Sequence, residues 1–160
     1  HIINTYITHV ALVEVDEMTG ETTVLGTFAA IDCGRVINPQ GLRGQSEGGM
    51  VMGMGYALME DTIIEGGKTL TLNFSTYIIP TSIDAPDMDT VACEVLEPSG
   101  PYGAKGVGEA VMVPIAPAIA IGIDRAVGAR VTHAPATSER VFHAMRNRDG
   151  GRGAEEGSTA

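Results

Sequence analysis

Tryptophan is missing from this 160-residue chain, and only four tyrosines and three phenylalanines supply its aromatic side chains. Basic residues are scarce as well, with ten lysines and arginines against twenty acidic residues and a net charge of −10. Nucleic acids and anionic membrane surfaces attract basic proteins, so neither is expected as a partner. The chain also lacks any apolar run near the roughly 18 residues that cross a bilayer, which predicts no membrane span.

Cysteine is limited to Cys33 and Cys93, which lie far apart in the sequence. An iron–sulfur cluster usually takes about four thiolates, so the count excludes a cysteine-ligated cluster within this chain. The two thiols can pair only if the fold brings them together, and two reduced cysteines are typical of a cytosolic protein. The first residues show no basic-then-apolar secretory pattern. We therefore expect a cytoplasmic location.

Glycine is the residue in excess, at 21 of 160 positions against ordinary usage of roughly 7%. The length suits one domain with an ordinary hydrophobic core. We assign residues 1–146 to a domain segment and the glycine-rich, polar residues 147–160 to a flexible or partner-docked tail. So much glycine with so few aromatics indicates a scaffold whose backbone runs close to a ligand or to other chains.

The hydrophobic pattern predicts an α+β fold in which helices flank a mixed or antiparallel sheet. Asn38 is the expected N-cap of the first helix, with Pro39 at its first position. Gly128 is the expected end of the second helix, and Thr137 the cap of the third. Strands are predicted at 8–15, 22–31, 69–73 and 90–96, an extended segment at 76–80, and helices at 40–62, 114–127 and 137–145.

Small residues recur at a spacing of four in the first predicted helix, where Gln45, Gly49, Gly53 and Ala57 share one face. Each glycine costs a helix about 1 kcal/mol relative to alanine, so this many need a packing reason. The flat face either lets another helix or the sheet approach closely, or lets the backbone contact a cofactor. Both interpretations can hold along one helix.

The segment 103–109 reads GAKGVGE and holds three glycines, one of the two lysines of the chain and a carboxylate. Glycine lets backbone approach a ligand, and Glu109 is placed to act on whatever the backbone surrounds. The alternative is a surface loop that ends in a helix-starting glutamate. Lys105 either balances charge near a cofactor or pairs with a core carboxylate. Asp32 and Arg35 are expected to form a structural ion pair or a turn clamp.

Signatures of other redox proteins are missing from the sequence. His9, His133 and His143 show no ligand spacing with one another or with the cysteines, so they are expected at the surface or in packing. The glycines at 53 and 55 lie in a methionine-rich helix and match a dinucleotide fingerprint poorly, because that motif follows a strand. No flavin-binding or two-iron signature occurs either.

The GAKGVGE segment, together with residues 32–35, 37–39 and 44–49 upstream, resembles the xanthine dehydrogenase and aldehyde oxidase family of molybdenum hydroxylases. The likeness lies in the C-terminal part of the molybdopterin-binding subunit and runs from about residue 8 to about residue 145. Each piece alone is a weak signal, whereas the set in this order is specific. The expected α+β fold is then part of a larger molybdopterin-binding domain.

The resemblance implies a role in inserting a water-derived oxygen into a C–H bond of the substrate. Glu109 matches the family's catalytic base, and its carboxylate is expected to face a metal centre held jointly with other polypeptides. Gln45 matches the glutamine whose side-chain amide reaches the pterin. No residue of this chain is expected to ligate the metal. The remaining expected cofactor contacts are Lys105, Gly106, Val107 and Gly108.

The resemblance also implies molybdopterin with molybdenum, in its simple form or as a cytosine dinucleotide. The family's substrate-pocket residues are not in this chain, so another molybdenum-subunit chain is expected to complete the site. An iron–sulfur subunit and a flavin subunit with FAD are expected to export electrons. The expected substrate is a purine- or nicotinate-type N-heteroaromatic. The alternatives are an aldehyde oxidoreductase subunit, a carbon monoxide dehydrogenase subunit, or a non-catalytic assembly subunit of such a complex.

Overall fold

The computed structural model describes residues 3–156, with side chains described as far as 147. Over this range the chain forms a three-stranded sheet, a two-stranded hairpin and three α-helices, with a short 3-10 turn at Pro101–Gly103. In chain order the elements are β1 (Ile7–Val15), β2 (Thr22–Asp32), α1 (Pro39–Leu58), β3 (Ile64–Glu65), β4 (Lys68–Thr69), β5 (Asp87–Cys93), α2 (Met112–Val127) and α3 (Ser138–Glu156).

The sheet begins with an antiparallel hairpin of β1 and β2, whose turn is held by Asp16. The Asp16 carboxylate accepts hydrogen bonds from the backbone N–H groups of Met18 at 2.7 Å and Thr19 at 3.3 Å. Gly20 closes the turn with a φ of +76°, and a Cβ there would collide with the carbonyl oxygen of Ser138. β5 pairs with β2 in parallel, which gives the strand order β1-β2-β5. The sheet is therefore mixed, which confirms the predicted α+β class.

Two helices cover one face of this sheet, with α2 across β1 and α1 beside it against β2 and β5. Alternate side chains of β1 face the helices, as expected for a strand with one buried face. On α2, Ile115, Ile119 and Ile123 repeat every four residues and are fully buried. Val141 of α3 is buried in the same cluster, so the third helix closes one end of the core.

The two covering helices pack closely because glycines of α1 face bulky residues at the N-cap and in the first turn of α2. A Cβ on Gly49 would lie 2.9 Å from the Cβ of Val111. A Cβ on Gly53 would overlap the Cγ2 of Ile115 and lie 2.8 Å from the carbonyl oxygen of Met112. The close-packing interpretation of the small-residue face therefore holds for these two glycines.

The predicted signals at three helix ends are confirmed. The Asn38 side chain caps α1 by accepting a hydrogen bond from the N–H of Gly41 at 3.0 Å. Gly128 ends α2 in the left-handed conformation, with a φ of +65°. At the start of α3, the Thr137 hydroxyl accepts a hydrogen bond from the N–H of Arg140 at 3.3 Å. These ends were predictable because a cap satisfies its helix through residues adjacent in sequence.

The end of the first helix and the start of the second differ from the predicted bounds. α1 ends at Leu58 rather than at residue 62, because the N–H groups of Met59 and Glu60 both donate to the carbonyl of Gly55 and close the last turn. α2 begins at Met112, two residues before the expected start. Pro114 consequently lies in the first turn, where its missing N–H leaves no hydrogen bond unmade.

The strand predictions beyond the hairpin are wrong in their bounds. The expected strand 69–73 is reduced to β4, which pairs with β3 around the Gly66 and Gly67 turn. Asn73 instead opens a turn by accepting hydrogen bonds from the N–H groups of Thr76 and Tyr77, so 76–80 is not extended throughout. β5 covers Asp87–Cys93 rather than 90–96, because its pairing with β2 decides which residues are strand.

The third helix is longer than the predicted 137–145. Its bounds are Ser138–Glu156, so it includes most of the segment that was assigned to a tail. The last part of that segment, 157–160, lies outside the described residues, and docking of the segment on a partner stays a prediction. Within residues 3–156, none of the helices has the length and hydropathy of a bilayer span.

His9 lies on the helix-facing side of β1, opposite Ala29 of β2. Neither of its ring nitrogens has a hydrogen-bond partner among the described residues, and the buried Thr27 hydroxyl on β2 also lacks one. Desolvation by burial lowers the pKa of His9 below its ordinary value of 6.5. His9 is thus a packing histidine, one of the two roles that the sequence indicated.

We expect the stability of the fold to fall as the pH drops through about 6.5, the ordinary histidine value. Because the folded state resists protonation of His9, the unfolded state binds more protons below that pH, and linkage then favours unfolding. Above that pH the contribution is fully present. His9→Leu should flatten the pH dependence of the melting temperature between about pH 7.5 and pH 5.5, whereas His143→Gln, at an exposed position, should not. Equal slopes for the parent and His9→Leu would contradict the assignment.

Candidate functional site

Segment 103–109 runs beside the end of β2 and the turn that follows it. An isolated antiparallel bridge joins Gly34 to Ala104, and the N–H of Lys105 donates to the carbonyl of Cys33 at 2.9 Å. Gly34 has a φ of +63°, and a Cβ there would collide with the carbonyl oxygen of Gly103. Two segments that are distant in sequence are therefore joined along their main chains, at a position that only glycine can occupy.

Lys105 forms the least exposed of the ion pairs among the described residues. Its Nζ lies 2.7 Å from Asp32 Oδ2, and the two side chains are 7% and 12% exposed. The hydrogen bond from Lys105 is the main reason that the pKa of the Asp32 carboxyl lies below its ordinary value. Of the two roles considered for Lys105, the structure shows the pair with a core carboxylate, and a contact with the cofactor stays a prediction.

The expected ion pair between Asp32 and Arg35 is wrong. Arg35 is exposed and makes no ion pair within the described part of the chain. The turn-clamp alternative holds, because Asp32 Oδ1 accepts a hydrogen bond from the N–H of Gly34 at 3.3 Å. Arg35 was the nearest candidate in sequence, whereas in the fold the partner of Asp32 is Lys105, from a distant loop.

The two cysteines are unpaired. Cys33 is buried with Ile31 and Met50 on the helix-facing side of the sheet. Cys93 is exposed and is the register partner of Asp32, so the two thiols lie on opposite sides of the sheet. Burial raises the pKa of the Cys33 thiol, which makes it an inert packing group.

Glu109, the last residue of segment 103–109, begins the turn that leads into α2. Its φ of +57° is a left-handed conformation that costs a residue with a Cβ about 1–2 kcal/mol. Its carbonyl accepts a hydrogen bond from the N–H of Met112 at 3.0 Å, and Val111 between them is fully buried. The Glu109 side chain is exposed, without a hydrogen-bond or ion-pair partner among the described residues. Any centre that this carboxylate faces must therefore be enclosed from outside this chain.

A surface cavity of about 290 Å³ opens between the start of α1 and the same segment. Gln45 lines it from α1, and Lys105, Val107 and Gly108 line it from the loop. A Cβ on Gly108 would lie 3.6 Å from Gln45 Oε1, so two of the predicted cofactor contacts meet at one point. Gln45 thus occupies the open end of the small-residue face, whose later members pack against α2.

The backbone of residues 106–109 carries N–H groups that have no acceptor among the described residues. No atom lies within 4 Å of the place where a Cβ on Gly106 would stand, and the Gly106 carbonyl accepts a hydrogen bond from the Thr5 hydroxyl at 2.7 Å. The Gln45 amide also lacks a partner within the described residues. Successive free N–H groups beside a side-chain amide can donate to the carbonyl or anionic oxygens of a ligand.

Sequence reasoning missed one residue of this arrangement. Thr5 is 101 residues from Gly106, and no local pattern identifies it. His133 and His143 are exposed, and no group of three or more metal-ligating side chains is placed to hold a metal in the described part of the chain.

Comparison with known proteins identifies the chain. A family described as the molybdopterin cofactor-binding domain matches residues 2–86, more than half of the chain and the part that holds Gln45. The chain belongs to the molybdopterin cofactor-binding domain family. The segment with Glu109 lies beyond the matched residues.

The chain is similar to molybdenum-enzyme subunits along most of its length, which confirms the resemblance to the xanthine dehydrogenase and aldehyde oxidase family. A probable xanthine dehydrogenase subunit from Bacillus subtilis is 40% identical over 133 residues, which cover 83% of this chain and 18% of that protein. The gamma subunit of the 6-hydroxypseudooxynicotine dehydrogenase complex of Paenarthrobacter nicotinovorans is 37% identical over 134 residues, which cover 81% of this chain and 17% of that protein.

A solved structure, quinoline 2-oxidoreductase from Pseudomonas putida 86, superposes with a TM-score of 0.82 at 34% identity. The match covers 86% of this chain and 18% of that one. The chain therefore spans less than a fifth of the length of these relatives.

Proposed function

We propose that this molybdopterin-binding chain forms one wall of the cofactor site of a molybdenum hydroxylase and supplies Glu109 as the general base. One observation carries the proposal. The Gln45 amide meets the loop at Gly108, and the same loop carries the free N–H groups of residues 106–109 and ends in the unpaired Glu109 carboxylate. A structural loop has no need to leave a carboxylate in a strained backbone conformation beside free hydrogen-bond donors.

The residues of this surface fit a pterin. A pterin edge offers both donors and acceptors, and the Gln45 amide can both donate and accept. Gly106 leaves open space where a side chain would otherwise stand, so a flat ring can approach the backbone. Lys105 contributes through its place in the loop, because its ammonium is engaged by Asp32.

When bound, the molybdenum centre supplies the oxygen-transfer and redox chemistry. The Glu109 carboxylate accepts the proton from the water-derived nucleophile, which requires it to be ionised and within about 2.6–3.2 Å of that oxygen. The left-handed backbone at Glu109 and its bond to Met112 set the direction in which the carboxylate leaves the chain. Gln45 and the N–H groups orient the cofactor so that this distance is met.

Further polypeptide is needed to enclose the site and complete the enzyme. The sheet face opposite the helices carries Val10, Leu12, Phe28 and Val91, each about half exposed or more. Exposed apolar patches on this scale mark surfaces that other polypeptide covers. We assign the occupant to the remaining part of the molybdenum-binding subunit, in keeping with relatives more than five times as long. Iron–sulfur and FAD-containing subunits then take the electrons.

For the substrate we propose an N-heteroaromatic compound of the purine or nicotinate type. The relatives named for xanthine, 6-hydroxypseudooxynicotine and quinoline support this class, since the last two names denote nitrogen heteroaromatics and xanthine is a purine. The test is an assay of the assembled enzyme with hypoxanthine, nicotinate, benzaldehyde and carbon monoxide. Hydroxylation of hypoxanthine or nicotinate is expected. Turnover of benzaldehyde alone, or of carbon monoxide with copper in the enzyme, would reject the proposed class.

Gln45→Leu is expected to weaken retention of the cofactor. The change removes hydrogen bonds that place the pterin, each worth about 1–3 kcal/mol when its partner is left unsatisfied, so binding should weaken about tenfold or more. The measurement is molybdenum and pterin per polypeptide in the purified complex. Gln40→Leu is the matched control, because Gln40 is exposed in the first turn of α1 and lies outside the cavity lining. Equal cofactor content in the two variants would contradict the role of Gln45.

A further inference from the structure

We propose that Asp32 is a positioning residue for Glu109 and acts through Lys105 to hold segment 105–109 in the register that the base requires. The inference rests on the proposed role of Glu109 and adds a residue that touches neither the cavity nor the base. Asp32 ends β2, the central strand of the three-stranded sheet, which is paired with a neighbouring strand on each side.

Glu109 is held from two sides, and only one of them is built on the sheet. On its C-terminal side, the bond from Met112 and the buried Val111 tie it to α2. On its N-terminal side, the fixed point is Lys105, which reaches Asp32 with its side chain and Cys33 with its N–H. Between these points, Val107 packs against the buried cluster that includes Met50, but the free N–H groups of 106–109 and the open space around Gly106 leave the main chain few hydrogen bonds of its own.

The buried ion pair between Lys105 and Asp32 is better suited to fixing the position of the loop than to stabilising the fold. Both charged side chains are almost fully excluded from solvent, and desolvation offsets much of the attraction in such a pair. An apolar pair of similar volume would stabilise a loop equally well, but it would accept several neighbouring arrangements. The Lys105 ammonium and the Asp32 carboxylate, in contact at 2.7 Å, must instead stay together, because separating them would leave a buried charge unpaired.

The ion pair between Lys105 and Asp32 opposes relaxation of the strained backbone at Glu109. A left-handed glutamate relaxes if its loop is free to shift, because nothing in its own side chain favours that conformation. The Thr5 bond to the Gly106 carbonyl and the Lys105 N–H bond restrain the main chain, but each is a single hydrogen bond. Loss of the ion pair should therefore let the base drift from its working position.

The experiment compares Asp32→Asn, the double variant Asp32→Asn with Lys105→Met, and Glu109→Gln in the assembled enzyme. Asp32→Asn leaves the Lys105 ammonium buried without a counter-charge, so it should lower both the melting temperature and kcat. The double variant removes both charges and should recover the melting temperature. Its kcat should stay about 10²-fold below the parent, the scale of a 1 Å misplacement, with KM little changed. Asp61→Asn, which removes the carboxylate of an exposed ion pair with Arg140, is the control and should change neither.

Amide hydrogen exchange of the 103–109 peptide gives a readout that does not need turnover. The Lys105 N–H, which donates to the Cys33 carbonyl, should exchange faster in the double variant than in the control, with or without bound cofactor. Recovery of kcat together with the melting temperature, or unchanged exchange in this peptide, would overturn the positioning role while Glu109→Gln remains inactive. Parent-like turnover by Glu109→Gln would instead overturn both this role and the proposed function.

Discussion

Replacing Glu109 by glutamine is expected to lower turnover of the assembled enzyme by about 10²- to 10⁴-fold, the usual loss when a general base is removed. Glutamine keeps the size of the side chain and its position in the turn but cannot take up a proton at neutral pH. The backbone conformation, the bond to Met112 and the buried Val111 do not involve the carboxylate. The loss should therefore appear in kcat, with molybdenum and pterin content at the parent level.

The control for this change is Glu17→Gln, which alters an exposed carboxylate in the turn between β1 and β2. It changes the net charge by the same amount and should leave turnover unchanged. If Glu109→Gln retained near-parent kcat with full cofactor content, the chain would serve as a non-catalytic wall of the complex. A fall in activity that only followed a fall in cofactor content would place Glu109 among the binding residues instead.

Gly53→Ala is expected to destabilise the fold by about 1–3 kcal/mol, the range for an added methyl group in a filled core. The new Cβ would overlap the Cγ2 of Ile115 and lie 2.8 Å from the carbonyl oxygen of Met112. Ile115 is fully buried and the Met112 oxygen belongs to the helix backbone, so neither can move without separating α1 from α2. The helix propensity of alanine, worth about 1 kcal/mol, offsets only part of this cost.

Gly48→Ala is the matched control in the same helix. Nothing lies within 4 Å of its added Cβ, so the change should stabilise the isolated chain by about 0.5–1 kcal/mol through helix propensity. Chemical denaturation of the two variants and the parent gives both free energies of unfolding. Equal effects of the two substitutions would show that α1 does not depend on its contact with α2, contrary to the observed packing.

Much of this fold was predictable where the deciding contacts are local. The Asn38 cap, the left-handed Gly128 and the hairpin turn at Asp16 each depend on hydrogen bonds within a few residues. The small-residue face of α1 was also predictable from spacing alone. The sequence does not indicate which part of this face meets α2 and which part remains open to a ligand.

The candidate site shows the same division. The motif GAKGVGE indicated Glu109 and its neighbours, and the spacing of α1 indicated Gln45. Their meeting at Gly108 depends on how α1 lies against the loop. The choice between two roles for Lys105 also needed the fold, since Asp32 lies 73 residues away in the chain and a nearer arginine was the more obvious partner for that carboxylate.

By itself the sequence determined the α+β class, three of the helix ends, the likeness to molybdenum hydroxylases and the carboxylate on which the proposed chemistry depends. These follow from periodicity, from capping groups and from one specific motif, all of which act over short stretches of chain. Only the tertiary structure decided that Asp32 pairs with Lys105 and that Ile115 fills the space beside Gly53. It also decided that the N–H groups of 106–109 have no acceptor among the described residues, in the loop that meets Gln45. Those outcomes depend on how the sheet, α1, α2 and the loop pack together, and packing joins residues whose separation in sequence carries no signal.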